Sequence, residues 1–103
     1  MGMSDIDSSL GAGQRLRAAR ERAGISTREL SAMAGLSHSM AWLIESGRIA
    51  SPRAEVFVRL ADVLGLSLDW LISGRGECPP KDRIDAAVAV AREQAIAATG
   101  TGG

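Results

Sequence analysis

Apolar residues recur along most of this chain every three to four positions, the spacing that gives a helix one buried stripe. Leu16, Ala19 and Ala23, with the stem of Arg20, make the first stripe, and Gly24 closes it. A second helix is expected from Thr27 to Ala34 with Leu30, Met33 and Ala34 inward, and a third from His38 to Glu45 with Ala41 and Ile44 inward. Val56, Phe57, Leu60, Ala61 and Leu64 define a fourth from Pro52 to Leu64, ended by Gly65, and Leu68, Trp70 and Leu71 a short fifth. Ile84, Val88, Ala91 and Ala95 mark a sixth over 81–98. Alanine, leucine and arginine abound while β-branched residues are sparse, so the expected fold class is all-α.

The polar positions punctuate these stripes. Ser26 and Glu29 form a capping box that starts the second helix, and Ile25 stands where it can staple onto Leu30. Gly35 ends that helix, because the turn asks for a positive φ, and Ser37 then reads as the N-cap of the third. Ser51 before Pro52 reads as a cap followed by proline at the first helical position, and Ser67 caps the fifth helix. Cys78-Pro79-Pro80 cannot be helical, so 77–80 is a stiff linker. Residues 1–13 read as a flexible arm, 14–76 as the domain and 99–103 as a disordered tail.

Two short helices around a glycine turn make a helix-turn-helix, whose second helix enters the DNA major groove. Several stretches sharpen this: Arg-Leu-Arg-Ala-Ala-Arg before Gly24, Glu-Leu-Ser-x-x-Ala-Gly-Leu-Ser across the turn, Ile-Glu-x-Gly at 44–47, Pro52, and Leu-Ala-x-x-Leu-Gly-Leu-Ser-Leu-Asp-Trp-Leu from Leu60. On these residues the chain from Gln14 to Gly74 resembles the Cro-repressor-like (XRE) helix-turn-helix family. The resemblance implies a five-helix lambda-repressor-like domain, here with an additional C-terminal helix. It also implies that His38, Ser39, Trp42 and Leu43 reach base edges, that Arg48 and Arg53 grip the sugar-phosphate backbone, and that Arg20 and Glu45 pair between the first and third helices. Backbone N–H groups at the start of the second helix, with Ser26, Thr27 and Arg28, suggest a further phosphate site, and Ser37 is likewise expected to contact phosphate.

Charge changes the picture only through its distribution. The net charge is zero, yet 14–59 holds eight arginines against four acids, a balance of +4, and the remainder a balance of −4. That asymmetry suits one part facing phosphate; solvated charges on helix faces are the plainer account. Trp42 and Leu43 depart from the polar or basic side chains usual in the family. They are expected to touch thymine methyl groups, to be covered by the C-terminal helix or a partner chain, or to belong to a surface that no longer reads sequence, with Trp42 the readier of the two to be tucked in.

One histidine, one cysteine and no clustered carboxylates leave no catalytic constellation, no metal site and no cofactor. No apolar run suits a signal sequence or a membrane span, and a reduced cytoplasmic setting fits. The expected function is a repressor-type transcriptional regulator that binds double-stranded operator DNA as a homodimer. The apolar stripe of the sixth helix, Ile84, Val88, Ala91 and Ala95, must pack on its own domain or on a second subunit, and it is the expected dimerisation element. The alternative is an antitoxin-like or regulatory module that uses the Trp42 surface or the sixth helix to grip a protein partner.

Overall fold

Six helices form in the order the periodicity predicts: α1 (Ala12–Ala23), α2 (Thr27–Met33), α3 (Met40–Glu45), α4 (Ala54–Leu64), α5 (Leu68–Ser73) and α6 (Lys81–Gly102). They belong to a computed structural model that describes residues 11–49 and 51–102, among which there is no strand. Most of the expected arm, residues 1–10, lies outside the described residues, as does Gly103. Ala12 and Gly13 do not belong to an arm, because they are the first turn of α1. Gly13 has a packing reason to be glycine: a Cβ there would collide with the Ile44 carbonyl at the end of α3. At the other terminus the backbone stays helical through residue 102. No proline interrupts the alanine-rich run that leads there.

Local capping explains several boundaries. Ser26 Oγ accepts the Glu29 N–H at 3.0 Å while Glu29 Oε1 accepts the Ser26 N–H at 3.2 Å, so both halves of the box form. Ser67 Oγ accepts the Trp70 N–H at 3.1 Å and starts α5. Gly35 turns the chain out of α2 with φ 73°. Two starts differ from expectation. The N-cap of α4 is Arg53, extended at ψ 149°, not Ser51; with Pro52 outside the helix, the Arg53 carbonyl accepts the first N–H groups, from Val56 and Phe57. The N-cap of α3 is Ser39, not Ser37, and no side chain of its own caps it.

The cap of α3 comes from another helix. Ser31, fully buried on α2, accepts the Ala41 N–H on its Oγ at 2.9 Å. Ala41 is itself fully buried, so the crossing of α2 and α3 is held by one hydrogen bond where only a small residue fits. Ser31→Ala leaves that N–H buried without a partner and is expected to cost about 1–3 kcal/mol. A urea midpoint lowered at unchanged m-value would report it; an unchanged midpoint would refute the cap.

The core joins Leu16, Ala19, Ile25, Leu30, Ile44, Phe57, Leu60, Leu64, Trp70 and Leu71. Leu66 takes the core place expected of Leu68, which is 37% exposed, because the helix starts after Ser67 and its first residue faces out. Trp70 is fully buried, and its indole N–H meets no acceptor among the described residues.

The sixth helix does not present a free apolar stripe. Ile84 is fully buried and Val88 is 4% exposed, because α6 packs on α4, α1 and α2 of its own chain. Ala91 is half-buried against the same core, and Ala95 is also half-buried. Ile84 and Val88, the two residues of this stripe nearest the linker, are therefore covered by the chain's own core and are not open to a second subunit. The linker is docked too, since Arg22 Nη1 donates to the Pro79 carbonyl at 2.9 Å and Cys78 packs against the core.

Candidate nucleic-acid interface

Ala41 and Ile44, buried on one side of α3, fix which side faces out. Trp42 is 46% exposed, and His38 and Ser39 are exposed in the turn that precedes the helix. Ser37 is exposed beside them, and its carbonyl accepts the Met40 N–H at 3.0 Å. Leu43 is half-buried. The loop after α3 folds back onto the end of the helix, with the Arg48 and Ile49 N–H groups donating to the Leu43 carbonyl at 2.9 and 3.2 Å. The sequence suggested that Trp42 would be the residue tucked in; Leu43 is instead the less exposed of the two, and Trp42 stands outermost.

Arg48 lies over the indole of Trp42, its Cζ 5.1 Å from the ring centroid. A guanidinium against an exposed indole contributes about 0.5–1 kcal/mol. The contact limits the ring's freedom and keeps a charge beside the outward face of α3.

The excess of arginine over 14–59 resolves once each partner is known. Arg15 is buried, donating from Nε to the Leu71 carbonyl at 3.0 Å and from Nη2 to the Ile72 carbonyl at 2.8 Å; it supports the end of α5 and serves no surface. Arg17 pairs with Glu21, Arg20 with Glu45 and Arg59 with Glu55, while Arg22 holds the linker. Arg28, Arg48 and Arg53 remain, exposed and with no carboxylate partner among the described residues. They sit at the start of α2, just after α3 and at the cap of α4, so they flank the turn and helix that face outward. Sequence reasoning missed the role of Arg15, because in a run of arginines a buried one carries no local mark.

The capping box takes up part of the anion site expected at the start of α2. The Ser26 oxygen already accepts the Glu29 N–H, and the Glu29 carboxylate occupies the same turn, 3.5 Å from Arg92. The Ser26 hydroxyl proton and the Thr27 and Arg28 N–H groups of the first turn are what that box leaves for a phosphate, and the Thr27 side chain is half-buried.

The Arg20–Glu45 pair braces α3 from behind. Arg20 donates from Nε to Glu45 Oε2 at 2.8 Å and from Nη2 to Oε1 at 2.9 Å, and from Nη1 to the Ile25 carbonyl at 2.8 Å. The hydrogen bond to Glu45 raises the arginine pKa, against the desolvation that lowers it. Cys78 is half-buried, and burial raises its thiol pKa despite the nearby Arg22. Among the described residues no group of side chains could hold a metal ion, and no helix is long and apolar enough to cross a membrane.

A family model described as a helix-turn-helix domain matches residues 12–71, from the first turn of α1 to Leu71 of α5. No curated protein and no solved structure matches the chain.

Proposed function

The chain belongs to the helix-turn-helix domain family associated with XRE-like DNA-binding regulators, and from that membership we propose that it is a sequence-specific, repressor-type regulator of transcription that reads operator DNA with α3. The observation that supports this best is the trio Arg28, Arg48 and Arg53, left without carboxylates around an exposed α3 while other arginines of the segment are held by the protein itself. In this reading the trio, with Ser26, Thr27 and Ser37, takes phosphate oxygens and sets register. His38, Ser39, Trp42 and the exposed part of Leu43 face base edges. The protein acts in the cytoplasm, without catalysis or cofactor.

A homodimer with two copies of α3 about one DNA turn apart suits a palindromic operator. The exposed Leu68 and Ile72, four residues apart on α5, offer a surface for it that Ile84 and Val88 do not.

A gel shift on random duplex tests the reading. Retardation is expected at low salt and should fall with a log–log slope of about −0.9 for each phosphate neutralised. Arg28→Ala and Arg53→Ala should each flatten that slope by about 0.9 while leaving the melting temperature unchanged. Absence of retardation at low salt would instead favour the protein-interaction module that an exposed Trp42 also suits.

A further inference from the structure

On the footing of the DNA-binding reading above, we propose that Trp42 makes this helix a reader of the thymine C5-methyl group. The two tryptophans of the chain have opposite placements: Trp70 is fully buried and builds the core, whereas Trp42 is 46% exposed in the middle of α3. The fold therefore does not need the Trp42 ring in its interior. The ring is nonetheless held, from below by a backbone anchored through buried Ala41 and Ile44, and across one face by the Arg48 guanidinium at 5.1 Å. What is left to a ligand is the other face and the edge.

The chemistry of that surface narrows what it recognises. An indole has one N–H donor and no acceptor, so it cannot make the paired contacts that identify adenine or guanine nor accept from the cytosine amine, and a single bond to a guanine or thymine acceptor would use only its edge. Among the groups displayed in the major groove, the thymine methyl alone is apolar, and contact with carbon is how it is read. His38 and Ser39, exposed in the turn before the helix, supply the polar contacts beside it. Arg48 orients the ring and keeps its charge for the nearby phosphates. Stacking between unpaired bases is the rival use of an exposed indole, but the guanidinium already occupies one of the two faces that such stacking needs.

The test uses the full chain and a duplex pool enriched from random sequence by binding. The enriched pool is copied with thymidine or with deoxyuridine, which removes the methyl group and keeps the pairing. Affinity is expected to fall about fourfold for each methyl contacted when deoxyuridine replaces thymidine. Trp42→Ala should bind both copies equally and Trp42→Phe should keep most of the preference, with melting curves of both variants close to the parent. Equal binding of the two copies by the parent protein, or an undiminished preference in Trp42→Ala, overturns the proposal while DNA binding stands. Tighter binding to the single strands of the same pool overturns it as well. No retardation of either copy at low salt removes the DNA-binding reading itself, a result distinct from the others.

Discussion

Glu45→Ala is expected to lower stability by about 3–5 kcal/mol, because it strands a guanidinium that the fold has already taken out of water. The Glu45 side chain is 6% exposed and that of Arg20 14%, so neither charge can be rehydrated without moving α3 away from α1. The pair is bidentate and the arginine's third nitrogen donates to the Ile25 carbonyl, a neutral acceptor that does not replace the lost carboxylate. For a chain of this size the melting temperature should drop by more than about 10 °C. Removing both charges together is a different experiment. Arg20→Met with Glu45→Leu should recover much of the loss, since a buried pair replaced by apolar groups of similar volume is often neutral. Thermal melts followed by circular dichroism check both statements; a Glu45→Ala melt that overlays the parent would refute the first.

Ending the chain at Pro80 is expected to abolish cooperative folding. Ile84 and Val88 seal the face that α1 and α4 turn toward α6, and truncation opens that face to water. Ile84→Ala alone should cost about 2–5 kcal/mol. Loss of the whole helix then approaches the 5–15 kcal/mol that holds a typical small domain together. Ending the chain after Ile96, whose side chain is 66% exposed, should leave the melt unchanged. A chain ending at Pro80 that still melts cooperatively near the parent temperature would restore α6 to the role of an appendage.

Much of the fold was legible because its instructions are local. The Ser26–Glu29 box and the Ser67 cap each act within three residues, and the glycines that end α1, α2, α4 and α5 act within one turn. The turn between α2 and α3 was legible for the same reason, and with it the outward course of α3. The start of α3 was misplaced by two residues because its cap is Ser31, ten residues before the N–H that it accepts. Arg15 was counted with the surface charges because its acceptors, the Leu71 and Ile72 carbonyls, lie more than fifty residues away.

By itself, then, the sequence determined which segments are helical, most of where they stop, and which helix follows the glycine turn. Those outcomes depend on φ preferences, side-chain spacing and caps that reach no further than one turn. Only the tertiary structure decided that Ile84 and Val88 of α6 belong to their own core, that Leu43 is half-buried while Trp42 stays exposed, and which arginines keep a charge free. Burial and pairing are contests among all the elements that could occupy one face, and a periodic stripe records that a residue needs cover without recording what provides it.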